Sequence, residues 1–164
     1  MVRRFPQDSF FKASWLPMVH AVVEIHRDNP ARAVELLQPA ASVEMGTKAA
    51  LWPAYVRGLA HLDQGAANDA LAEFGKVLDH RGVLAPKDFN PVAMTLFPLA
   101  CLGRARATAR TGDADGSRKA YEALLALWKD ADSAIPVLQA AKREYRQLGI
   151  PRARRGNRTG RTTS

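Results

Sequence analysis

The chain has 164 residues, one cysteine and a formal net charge of +8 at pH 7, with 47% apolar and 24% charged residues. That size allows one domain or a short repeat array, and the apolar content suits a folded chain. A single cysteine excludes an internal disulfide and a cysteine-built zinc site, and no run reaches the roughly 20 apolar residues of a membrane-spanning helix.

The basic start Met1-Val2-Arg3-Arg4 is followed by Phe5-Pro6-Gln7-Asp8, where a signal peptide would place its apolar stretch. A cytoplasmic chain is expected. It enters its first helix with almost no preamble, which suggests descent from a longer protein. The charge is uneven: Arg152, Arg154, Arg155, Arg158 and Arg161 lie beyond Ile150 with no acid among them. The basic character therefore belongs mainly to the tail.

In chain order, Asp8 or Ser9 can cap a first helix reaching about Arg27, with Trp15, Val19, Val22 and Val23 as its apolar face. Pro17 predicts a bend or a late start. Asn29-Pro30 restarts the chain into a second helix, Pro30–Ala41, with Ala33, Val34 and Leu37 on one side. Residues 42–48 read as a loop. Trp52-Pro53 opens a third helix ending near Gly65, and a fourth runs from about Asn68 to Asp79. Residues 80–90 are the longest irregular segment. Asn90-Pro91 opens a fifth helix to about Thr111, with a kink expected at Pro98. A sixth spans about Ala114–Lys129. Asp132-Ser133 caps a seventh through Leu148, closed by Gly149 and Pro151. The class is all-α.

A spacing recurs along these helices. Ala21 precedes Ala33, Gly58 precedes Ala70, and Ala105 precedes Ser117, each by twelve residues. Four residues after each second member stands a large side chain: Leu37, Phe74 or Tyr121. Three further on come Ala40, Val77 and Leu124. Small residues on facing sides of a helix pair let the backbones approach, and the large one fills the gap a turn later.

This spacing resembles the tetratricopeptide repeat, whose pattern places a Trp, Leu-Gly, Tyr, Ala-x-x-x-Phe and a closing Pro over about 34 residues. Gly58, Ala70 and Phe74 match it. His61 replaces the tyrosine, Ala54 the tryptophan, and Met45, Gly82 and Lys129 the closing proline. Phe5-Pro6-Gln7-Asp8-Ser9-Phe10-Phe11, Pro53-Ala54-Tyr55-Val56-Arg57-Gly58, Leu78-Asp79-His80-Arg81-Gly82 and Leu127-Trp128-Lys129-Asp130-Ala131-Asp132 are similar to the C-terminal repeat region of large bacterial serine/threonine kinases and related regulators. The resemblance implies an αα-hairpin solenoid, a right-handed superhelix with hairpins at about 9–41, 52–79 and 91–129. A capping helix at about 133–148 completes a domain of residues 1–149. Residues 150–164, with no apolar anchor, read as a disordered Arg-rich tail.

Catalytic signals are missing. His80-Arg81 is followed by Gly82 rather than the aspartate a kinase catalytic loop uses, and no glycine-rich phosphate loop is present. No second histidine lies four residues from His20 as a helical zinc site requires; His20, His26, His61 and His80 read as surface side chains. Serines lack a glycine elbow, and Asp69, Glu73 and Asp113 fall at capping or exposed helix positions. Cys101 reads as a small buried side chain. No enzyme, cofactor or metal is expected.

The resemblance implies instead a protein-binding module. Its groove-facing positions fall here on Trp15, Met18, Val22 and Ile25, on Trp52, Tyr55, Leu59 and Leu62, and on Leu99, Leu102, Arg106 and Ala109. Such a groove is apolar and aromatic with a basic end, suited to a peptide or partner domain. The plainer reading is that Trp15 and Trp52 pack between hairpins. Relatives that grip a C-terminal carboxylate use lysines and an asparagine; Met18, Val22, Val56, Leu99 and Gly103 stand there instead. Chaperone tails are therefore not expected partners. Ile135, Leu138, Ala141 and Tyr145 give the last helix an apolar side that can close the array, while Lys142, Arg143 and Arg146 face water. Two alternatives accompany this reading: a detached regulatory segment of a multidomain kinase or transcription regulator, and weak nucleic-acid binding through Arg152, Arg154, Arg155, Arg158 and Arg161. No membrane partner is expected.

Overall fold

Prolines punctuate this fold, because a residue without an N–H loses nothing in the first turn of a helix. In the computed structural model, which describes residues 11–46, 48–84 and 91–148, five of the eight α-helices have proline at or next to their first position. After a π-helical turn, Phe11–Trp15, come α1 (Leu16–His26), α2 (Pro30–Leu37), α3 (Trp52–Asp63), α4 (Ala67–Asp79), the single turn α5 (Arg81–Leu84), α6 (Pro91–Arg110), α7 (Ala114–Leu127) and α8 (Pro136–Leu148). No strand occurs among the described residues, so the class is all-α. No described helix is long and apolar enough to cross a membrane. The Asp8/Ser9 cap and the Arg-rich tail lie outside the described residues.

Several boundaries differ from expectation, each for a local reason. Pro39 cannot donate to an α-helical ladder, so α2 gives way after Leu37 to a 3₁₀ turn, Gln38–Ser42. The irregular stretch after Asp79 contains α5 before the chain passes outside the described residues. Asp132 folds into a local turn, its carboxylate accepting the Ala134 N–H at 2.8 Å, and α8 starts later, at Pro136. α6 runs through Pro98 to Arg110, as the expected fifth helix does.

Three helix pairs, α1–α2, α3–α4 and α6–α7, follow one another, and α8 lies against α7. The main packing joins neighbours in the chain: α2 meets α3, α4 meets α6, and the first helices also touch, α1 with α3 and α3 with α6. The buried apolar side chains fall into three clusters. One holds Met18, Ala21, Ala33, Leu37, Val56 and Ala60; one centres on Phe74; one joins Leu102, Ala105, Tyr121, Leu124 and Ala141.

All six small residues of the recurring spacing, Ala21, Ala33, Gly58, Ala70, Ala105 and Ser117, are buried, as are Leu37, Phe74 and Tyr121. The Ser117 hydroxyl donates to the Ala105 carbonyl at 3.0 Å, so the third pair is stitched at that point. Each first helix also ends alike. Seven residues after Ala21, Gly58 and Ala105 stand Asp28, Gly65 and Gly112, all at positive φ (61°, 77° and 89°). At Asp28 and Gly65 the next two N–H groups turn back on the last carbonyls, Asp28 to Ile25 with Asn29 to Glu24, and Gly65 to Leu62 with Ala66 to His61. That closure needs a left-handed residue, which glycine provides without strain and aspartate tolerates.

The face assigned to α1 from the sequence is the wrong one. Trp15, Val19, Val22 and Val23 are 38%, 55%, 38% and 41% exposed, and the buried side of α1 carries Met18 and Ala21. Ala33 in α2 draws in the small residue rather than the valine stripe.

Candidate functional site

α1, α3 and α6 supply the side chains that the resemblance assigns to a groove. In α3, Trp52, Tyr55 and Leu59 are half-buried. The rings of Trp52 and Tyr55 meet edge to face, centroids 5.9 Å apart, and Tyr55 leans on Phe74 at 5.9 Å. These contacts fix Tyr55 from below and leave Trp52 and Leu59 partly open. Burial pushes the Tyr55 hydroxyl up, partly offset by the Arg106 charge. Trp15, at the end of the π-helical turn, and Val22 of α1 are exposed and Ile25 of α1 is half-buried; from α6, Leu99 and Ala109 are half-buried.

Three of the expected groove residues are not available. Met18 packs into the first cluster at 9% exposure, Leu62 into the second, and Leu102 into the third. Met18 and Leu62 face the joint with the adjoining pair, and Leu102 faces α7 and α8.

Arg106 does not give a free basic end. Its guanidinium grips Glu144 of α8 with two hydrogen bonds, Nε at 2.9 Å and Nη2 at 2.7 Å, while the Tyr121 hydroxyl donates to the same carboxylate at 2.6 Å. Burial raises the Glu144 carboxyl, but hydrogen bonds from Arg106 and Tyr121 outweigh it and hold it below its ordinary value. Burial and the Glu144 hydrogen bond push the Tyr121 phenol well above its usual range. The trio fastens α8 across α6 and α7.

A second ionic cluster lies inside. Arg57 is 3% exposed and directs Nη2 at Glu44 and at Glu73, each at 2.7 Å, with Nη1 3.5 Å from the Leu37 carbonyl. Lys76 adds a bond to Glu73 at 2.9 Å. Burial works against both charges, yet the shared hydrogen bonds keep Arg57 raised and Glu73 lowered. Glu73 is therefore not an exposed helix acid: it tethers α4 to the middle of α3. The signal was a cation directly before Gly58, where the repeat pattern has leucine. The buried Glu44 sits in the connection to α3, which ends with Ala50 and Leu51 at positive φ (45° and 61°). A left-handed leucine is strained; here its side chain is wholly buried and its N–H bonds to the Glu44 carbonyl at 2.9 Å.

Asp113 caps α7, accepting the Gly116 N–H at 2.8 Å. Arg110 donates to the Leu62 carbonyl, tying α6 to the end of α3. His61 departs from expectation: its Nδ1 is buried with no hydrogen-bond partner. Cys101 is half-buried, its thiol pushed up by burial despite Arg104 and Arg81, an environment that suppresses thiolate chemistry. Among the described residues no three His, Cys, Asp or Glu side chains converge as metal ligands would. No protein-family model, curated protein or solved structure matches the chain.

Proposed function

We propose that the chain is a tetratricopeptide-like solenoid of three αα-hairpins closed by α8, working in the cytoplasm as a non-catalytic protein-interaction module. A peptide or partner domain lies along the side formed by α1, α3 and α6. One observation carries the reading: Trp15, Val22, Trp52 and Leu59 stay partly open in the first two helix pairs, beside the buried Met18, Ala21, Val56 and Ala60. Supporting it are the burial of all six small repeat residues and the threefold recurrence of the positive-φ turn.

The recognised ligand is apolar in character. With Arg106 held by Glu144, the basic end of the face is not free, so aromatic and aliphatic contacts supply the affinity and backbone contacts the direction. Selection from a displayed random-peptide library should yield binders rich in large apolar residues. Trp52→Ala and Trp15→Ala should each weaken those binders by roughly tenfold or more without altering the helical circular-dichroism spectrum. Binders indifferent to both substitutions would remove the proposal.

A further inference from the structure

The two joints between helix pairs are built alike. α3 offers Val56 and Ala60 to the first pair, where they share a cluster with Ala21, Ala33 and Leu37. α6 offers Gly103 and Ala107 to the second pair: a Cβ on Gly103 would stand 2.5 Å from Phe74 Cε1, and Ala107 belongs to the Phe74 cluster. The register that aligns Ala21 with Gly58 and Ala105 aligns Val19 with Val56 and Gly103, and Val23 with Ala60 and Ala107. In α3 and α6 all four of these residues are buried under the preceding pair. In α1 they are Val19 and Val23, both open.

The other end of the molecule is closed. α8 covers the third pair through Ala141 and the half-buried Tyr145, and turns Gln139, Lys142, Arg143 and Arg146 outward. Among the described residues one end is therefore apolar and uncovered, the other closed by α8 and cationic.

We propose that the open side of α1 is a self-association surface, on which a second copy seats its own α1 about a two-fold axis. The internal joints supply the occupant's chemistry: in each, this helix side is covered by packed helices. Head-to-tail stacking would bury Val19 and Val23 against Lys142, Arg143 and Arg146, desolvating cations without partners. Among the described residues the other exposed large apolar side chains are Met45 and Leu127, in separate elements, so the face most like this one is its own copy's, which gives a closed isologous dimer. Val19 and Val23 are uncharged, and Arg27, one turn beyond Val23, is paired with Glu24 at 3.0 Å, so a two-fold contact brings no unpaired Arg27 against its own copy. This surface is the edge of α1, next to the proposed groove, and does not rest on the groove reading.

Sedimentation velocity of the full chain over a wide concentration range tests it. A species of twice the chain mass is expected. Val19→Glu with Val23→Glu should weaken association roughly a hundredfold, whereas Leu127→Glu, a similarly exposed site in α7, should leave the dimer intact. Cross-linking avoids any folding defect from buried charge: Val19→Cys or Val23→Cys, with Cys101→Ser, should give an oxidised dimer, and Leu127→Cys in the same background should not. A monomer at every concentration, open-ended oligomers, a dimer indifferent to the glutamates, or cross-linking at Leu127→Cys instead would each overturn the proposal.

Discussion

Phe74 and Gly103 meet with no room for a β-carbon: one built on Gly103 would lie 2.5 Å from Cε1 and Cζ of the Phe74 ring. The opposite side of the contact is as tight, with a Gly58 Cβ 2.7 Å from Cε1. One ring from α4 thus sets the distance from both α3 and α6. Gly103→Ala should lower stability by about 1–3 kcal/mol through overpacking, measured as a shift in the urea midpoint. Phe74→Leu in the same chain should return part of that loss. A Gly103→Ala protein as stable as the parent would show that the ring is free to move aside.

Arg57 is expected to be the most costly charge to remove. Arg57→Met leaves the buried Glu44 and the largely buried Glu73 with the half-exposed Lys76 as their remaining cation, and breaking a buried pair this way costs about 3–5 kcal/mol. Neutralising the acids together with it, as Glu44→Gln and Glu73→Gln, should recover much of the loss. Denaturation of the single and triple variants checks both statements; a triple variant no better than the single would mean that Arg57 matters by volume alone.

Acid should loosen α8 and the middle pair first. Glu73 and Glu144 hold their protons less tightly folded than the ordinary 4.5 of an unfolded glutamate, so the unfolded chain takes up protons first as pH falls. The stability these carboxylates add is complete above 4.5, begins to fade below it, and is gone once pH lies under their folded values. Melting temperature followed against pH should show this decline, and Glu144→Gln should make it shallower. An identical profile in that variant would take Glu144 out of the account.

The positive-φ turns make a test of local strain. Gly65→Ala should cost about 1–2 kcal/mol, the penalty for a left-handed β-carbon, while Asp28→Gly at the matching turn should cost nothing or stabilise slightly. Equal effects at the two sites would mean that the turns are not alike.

Periodicity in the sequence was enough to find the helices other than the single turn α5, and the small residues inside each pair, because those features depend on neighbours close in the chain. Ala105 and Ser117 lie twelve apart, and a short turn brings them together. The side of α1 was misassigned because valine hydrophobicity does not say which side a partner helix occupies, and Ala21 with Ala33 decided that. Arg106 read as a groove cation because Glu144 is 38 residues away. Gly103 carried a visible hint, since a mid-helix glycine costs helix stability and implies a close approach; the ring it admits belongs to another helix pair. Glu44 gave none, for its burial follows from Arg57 alone.

Helix pairs that lean chiefly on the pair beside them transmit load locally. α3 and α4 are clamped from both flanks, so their amides should exchange slowest, with protection fading outward toward α1 and α8. A tug on either extremity is then absorbed near where it is applied. Opening at an end then leaves the contacts of α3 and α4 in place.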